Sequence, residues 1–134
     1  MHIRCFEPSD LAAVHRLLQH SGWAHRVGTP EDLRRLIDAS QRVVVAVMHA
    51  QVVGFARALT DGISNGYLSM VAVAEPLRRQ GIGRALVESI VGADPGVTWV
   101  LRAGRVGAPA FFARLGFAPS TQAMERRRAD VDGR

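Results

Sequence analysis

Lysine is absent from this chain, so all 17 of its basic side chains are arginines. That absence excludes the Gly-Lys-Ser/Thr phosphate loop, whose lysine reaches the bound phosphates. Cysteine occurs once, at Cys5, which excludes an internal disulfide framework. Its place in an apolar first strand predicts a buried, unreactive role. Tyrosine also occurs once, at Tyr67, leaving little phenolic chemistry to draw on. No apolar run approaches the ~18 residues that a membrane span needs. No basic start followed by an apolar block opens the chain, so no secretory leader is expected and a cytoplasmic location fits. No repeat or low-complexity segment occurs. No His/Cys group at metal-ligand spacing occurs either, so no metal is expected.

What is present is a globular composition. Apolar residues make up 48% of 134, enough for one domain with a real core. That domain is expected over residues 1–127, followed by a polar tail over 128–134. The net charge of +5 suits an anionic ligand or nucleic acid. The arginines are not interleaved with aromatics and fill no single helix, and Arg126-Arg127-Arg128 reads as a solvated tail. Neither nucleic acid nor membrane is therefore expected as a partner.

The apolar pattern predicts the elements. A strand spans His2 to Phe6. A helix then carries Leu11, Val14, Leu17 and Leu18 on one face, with Ser9 or Asp10 as its cap. Thr29-Pro30-Glu31-Asp32 is a strong second helix start, followed by Leu33, Leu36 and Ile37. Strands follow over Arg42–Met48, Val52–Leu59 and Tyr67–Ala74. A helix over Ile82–Val91, a strand over Val97–Arg102 and a helix over Pro109–Leu115 come next, with a last strand over Thr121–Arg126. This order predicts an α/β (α+β) fold, a mixed sheet with helices on its faces.

Between the third of those middle strands and its helix lies Arg78-Arg79-Gln80-Gly81-Ile82-Gly83. A Gly-rich turn there leaves backbone N–H groups unpaired at the positive end of a helix dipole, which is an anion site. Arg78, Arg79 and Arg84 add permanent charge with forked donors. A dinucleotide fingerprint would need a third glycine where Leu86 stands. The diphosphate of coenzyme A remains as a common guest.

The same run resembles the Arg/Gln-x-x-Gly-x-Gly/Ala signature of the GNAT superfamily of N-acetyltransferases. Phe111-Phe112-Ala113-Arg114-Leu115-Gly116-Phe117 is similar to that family's late aromatic-x-x-Leu-Gly-Phe element. The resemblance extends from about Ile3 to about Arg127. It implies a mostly antiparallel sheet, with Leu68–Ala74 and Val97–Arg102 splayed apart to admit the cofactor. It implies direct transfer of acetyl from acetyl-CoA to an amine, small-molecule or peptide, by a monomer or homodimer. The backbone of Val71, Ala72 and Val73 would pair with the pantetheine arm, and the Val71 N–H would face the thioester oxygen. Arg78, Arg79, Gln80, Gly81, Ile82, Gly83 and Arg84 would hold the diphosphate, and Phe112 would also contact the cofactor. Trp23, His25 and Arg26, with the turn from Asp61 to Gly66, would border the acceptor.

The proton-handling groups depart from that family's pattern. An amine of pKa about 10.4 is neutral to roughly one part in a thousand or less at pH 7, so a base or desolvation must help. Many members place an acid where Met70 stands, and no carboxylate occurs between Tyr67 and Ala74. Asp61, His20, His25 and Glu7 are the remaining candidates. The tyrosine often found in the late element is Phe112 here, so Tyr67 is the only phenol available as a donor. A thiol of pKa about 8.5 leaves tolerably as an anion without one. Arg105 stands where an asparagine is usual. The expectation is a working N-acetyltransferase; the alternative is a CoA-binding module with weak or lost catalysis.

Overall fold

The computed structural model describes residues 1–129. Residues 1–102 and those from Ala103 onward form two compact units. The first is built on a five-stranded sheet in sequential order. Its strands are β1 (His2–Cys5), β2 (Arg42–Met48), β3 (Gln51–Thr60), β4 (Asn65–Val73) and β5 (Thr98–Val100). Neighbours from β1 to β4 are antiparallel, and β5 joins β4 in parallel.

Helices cover both faces of this sheet. On one face α1 (Leu11–Gln19) and α3 (Pro30–Asp38) bury Val14, Leu18, Leu33 and Ile37 against Val45, Val47 and Phe55. On the other lies α4 (Ile82–Val91), which buries Ile82, Leu86, Val87 and Ile90. Gly54 of β3 is what lets α4 approach. A β-carbon there would lie 2.9 Å from Leu86 Cδ1 and 3.2 Å from Ile82 Cγ2. Close packing at Gly54 thus fixes the helix whose first turn carries the anion loop.

The linker between α1 and α3 contains a short helix, α2 (Ala24–Val27). His15 of α1 is buried, and its Nε2 meets the Gly28 carbonyl at 2.8 Å, tying α1 to the end of α2. The β2–β3 turn places His49 and Ala50 at φ +52° and +61°, both left-handed without glycine.

Three expectations need correction. Cys5 is exposed, because it ends β1 rather than lying in the middle of it. The fifth strand is shorter than its apolar run. No strand forms over 121–126 among the described residues: Ser120 Oγ accepts the N–H groups of Gln122 and Ala123 in a turn, and Met124 is exposed. A strand needs a ladder partner, and this segment joins no ladder among the described residues. The tail expected over 128–134 lies, from residue 130 on, outside the described residues.

The second unit contains α5 (Ala108–Ala113), started at Gly107 with φ +83°. Phe112 packs edge-to-face on Phe111 at 4.9 Å and on Phe117 at 5.7 Å.

Candidate functional site

The start of α4 is left open. Gly81 is its N-cap residue, at φ +84°, and provides no side-chain cap. No acid occurs in the first turn. The Ala85 N–H is the first to close on the Gly81 carbonyl, at 3.0 Å. Helix geometry therefore leaves the N–H groups of Ile82, Gly83 and Arg84 without an intrahelical partner. A β-carbon at Gly81 would meet nothing within 4 Å, so the cap residue itself borders open space. The Ile82 side chain is buried, and only its backbone is on offer.

The loop before α4 is held in shape by its own residues. Arg78 Nε donates to the Val73 carbonyl at 3.1 Å, which fastens the end of β4 to the loop. Arg79 takes a left-handed φ of +67°, rare for a residue with a β-carbon. Arg79, Gln80 and Arg84 are exposed. Arg84 also pairs with Glu88 across a solvent-exposed helix face, at 3.5 Å.

Upstream, β4 is irregular at a specific place. Phe55 pairs with Ala72 and Arg57 with Ser69, so Ala56 alone faces Met70 and Val71. This is a β-bulge, and Met70 carries its left-handed turn at φ +57°. Such a conformation costs on the order of 1–3 kcal/mol for a residue other than glycine. Burial of the Met70 side chain in the α1–α3 core offsets it. The bulge shifts the alternation by one residue, so Ser69 and Ala72 both point to that face. It also takes the Met70–Val71 backbone out of the ladder.

On its other edge β4 is paired only at its start. Asn65, Gly66 and Tyr67 align with Thr98, Trp99 and Val100, and there the pairing stops. The backbone from Leu68 to Val73 has no strand neighbour on that side among the described residues. Tyr67 sits at the fork. The bulge, the open edge and the arginine loop follow one another along a single stretch, from Met70 to Arg84.

The other candidates are placed as follows. Asp61 organises its own turn, accepting the backbone N–H groups of Ile63, Ser64 and Asn65 and the Ser64 hydroxyl. The Ser64 hydroxyl, and then those N–H groups, hold its carboxyl far below the usual range, which makes it a poor base. Trp23 packs partly against the α1–α3 core. His25 and Arg26 are exposed on α2. His20 Nδ1 lies 2.7 Å from the Arg16 carbonyl. Phe112 belongs to the second unit, and the other cofactor candidates belong to the first. His20 lines a hollow of about 800 Å³ shared with Asp10, Arg16, Gln51 and Glu75, which residues 78–84 do not line. An open strand edge is a groove rather than a cavity, so donors and not volume mark this site.

One residue had no place in the sequence reading. Arg57 lies in β3, half-buried, on the same face as Phe55. Its Nε is 3.4 Å from Met70 Sδ, and its Nη1 donates to Ser40 Oγ at 3.1 Å. A lone arginine inside the run Val52–Leu59 was the available signal.

Residues 39–119 match the family model described as Acetyltransferase (GNAT) domain. The chain belongs to the GNAT family. Among solved structures, a GNAT-family protein from Xanthomonas campestris is similar with a TM-score of 0.77 and 27% identity, over 99% of this chain and 96% of that one. An aminoglycoside 6'-N-acetyltransferase complexed with coenzyme A is similar with a TM-score of 0.59 and 26% identity, over 66% of this chain and 52% of that one. The PanD regulatory factor of Salmonella typhimurium is 30% identical over 96 residues, which is 68% of this chain and 75% of that protein. The GNAT fold of this chain is thus a mixed, mostly antiparallel sheet with helices on both faces. No helix of the described residues is long and apolar enough to cross a membrane.

Proposed function

We propose that this chain is an acetyl-CoA-dependent N-acetyltransferase. The uncapped, acid-free start of α4 carries the reading, because it offers helix N-terminal donors and arginines to a diphosphate. Arg79, Gln80, Gly81, Ile82, Gly83 and Arg84 would hold that diphosphate. Arg78 would both hold it and fix the loop through Val73. The open edge of β4 at Val71, Ala72 and Val73 would take the pantetheine amides as an added strand.

Bound acetyl-CoA would supply the acetyl group as a thioester: the neutral acceptor nitrogen bonds to the carbonyl carbon, the carbon–sulfur bond breaks, the thiolate leaves, and the surplus proton on the new amide nitrogen passes to that thiolate or to solvent. The backbone around Val71, displaced from the ladder by the bulge, would donate to the carbonyl oxygen as charge develops there. Such donors need no reorganisation, because the buried Met70 side chain fixes the bulge. No carboxylate stands in β4 to take the ammonium proton. The acceptor would lose that proton to solvent before attack, with Tyr67 at the fork as the nearby phenol. This makes the rate rise with pH as the neutral amine fraction rises.

A second reading is a CoA-binding regulatory module. It is favoured by the likeness to a protein named as a regulatory factor and by Phe112, which cannot donate a proton. One experiment separates the readings. Acetyl-CoA should raise the thermal stability of the protein in both, but only a transferase consumes thioester when a panel of amines is added. Absence of any stabilisation by acetyl-CoA would overturn both.

A further inference from the structure

Several arginines of the first unit have clear partners. Arg4 is bonded to Asp10, Arg34 lies between Glu31 and Asp38, and Arg84 meets Glu88. Arg42 donates to the Ile90 carbonyl at 2.6 Å, at the negative end of α4, and stacks over Trp99. Arg57 differs. It is half-buried, yet among the described residues its only hydrogen-bond partners are a hydroxyl and a thioether. The Ser40 hydroxyl bonds the Leu36 carbonyl at 2.7 Å, so its lone pair is what faces Arg57. Among the described residues no carboxylate forms an ion pair with the guanidinium. Burial pushes Arg57 below the ordinary arginine value, as expected for a charge lacking a counter-ion.

A guanidinium carries five N–H donors, and here Nη2 and the remaining Nη1 hydrogen have no hydrogen-bond partner among the described residues. That edge is the fork that takes a carboxylate in two parallel hydrogen bonds. Its location is specific. Arg57 lies cross-strand from Ser69, one residue before the bulge, and its Nε touches Met70, which makes the bulge. Tyr67, at the fork of β4 and β5, is near enough to act on it electrostatically. The free charge therefore sits beside the backbone assigned to the acetyl carbonyl.

We propose that Arg57 binds a carboxylate of the acceptor, so that the acceptor is a small molecule bearing both an amine and a carboxylate, such as an amino acid or short peptide. This rests on the acetyl-transfer reading above. With the carboxylate on Arg57, the amine of the same molecule is held at the bulge. A site built for a buried charge also discriminates strongly against a neutral analogue, because the analogue leaves that charge unpaired.

The test compares L-amino acids and dipeptides with their C-terminal amides as acceptors, at saturating acetyl-CoA. The free acids should be used at least about 10-fold better in kcat/KM, mainly through KM. Arg57→Gln should abolish that preference, and Arg57→Lys should restore part of it. CoA affinity and thermal stability report that each variant is folded. Turnover that favours the amides, or an acid preference unchanged in Arg57→Gln, overturns the proposal. A second readout does not need turnover: the arginine Nε–H resonances in ¹⁵N NMR during titration with N-acetyl amino acids and their amides. If no amine is acetylated but the N-acetyl acids alone shift the Arg57 resonance, the carboxylate site stands and the transferase reading fails. If there is neither turnover nor a shift, both fail.

Discussion

Two helix starts in this protein are built to opposite specifications. The start of α3 is sealed from within. Thr29 accepts the Asp32 N–H at 3.1 Å, and Asp32 returns a bond to the Thr29 N–H at 3.0 Å. Pro30 leads the helix, and Glu31 and Asp32 set negative charge against the dipole. The start of α4 has glycine for a cap, no acid in its first turn and arginines around it. Both starts leave orphan donors, four at α4 and three at α3, where Pro30 carries no N–H. In α3 the chain supplies its own anion, and in α4 it supplies none, which is the contrast on which the proposed coenzyme A site rests.

The comparison breaks most sharply if α4 is given an acid. Gly83→Glu should weaken coenzyme A binding by about 100-fold, roughly 2.7 kcal/mol, through repulsion of the phosphates. The apo protein should melt no lower, since the new acid suits the helix dipole. Calorimetric titration and a melting curve check the two halves, and a retained affinity would put the diphosphate elsewhere. The opposite change, Thr29→Ala, opens α3. It should cost about 1 kcal/mol in a denaturant melt and leave coenzyme A affinity unaltered.

A smaller effect separates charge from capping at α4. Arg84→Gln should weaken coenzyme A binding by about 3- to 5-fold while moving stability by no more than about 0.5 kcal/mol, because its pair with Glu88 is exposed. A loss of stability without a loss of affinity would make Arg84 purely structural. The smallest difference is in acid. Bonds to Thr29, the backbone N–H first, hold Asp32 below its ordinary value of 3.8. A carboxyl with a depressed folded pKa stabilises fully above its unfolded value and loses that contribution as pH falls through the folded one. The urea midpoint of the wild type should therefore exceed that of Asp32→Asn at pH 7, and the gap should close below about pH 4. The cap of α4 holds no titrating side chain and should show no matching transition.

Much of the fold was legible because its signals are local. Thr29-Pro30-Glu31-Asp32 and the stripe Leu33, Leu36, Ile37 specify α3 without reference to anything distant. The glycine run between an alternating segment and a helical one placed the anion loop. The bulge was not legible. Met70 looks like one more apolar residue in an alternating strand, and only the mismatch of β4 against β3 reveals its left-handed turn. Arg57 was missed for a related reason. Its proposed role rests on the absence of a counter-charge among the described residues, and an absence in space cannot be read along a chain. Asp61 illustrates the reverse, a carboxylate whose turn-forming bonds lower its basicity. The strand expected over Thr121–Arg126 joins no sheet edge among the described residues, and pairing is a tertiary property.

Sequence by itself determined the order of the main strands and helices as far as α5, the two contrasting helix starts and the all-arginine charge, because capping, periodicity and side-chain chemistry act within a few residues. Tertiary structure alone decided that β4 bulges at Met70, parts from β5 after Tyr67 and brings Arg57 to the bulge. Those features depend on register and close packing between strands far apart in the chain, where one displaced residue changes which groups meet.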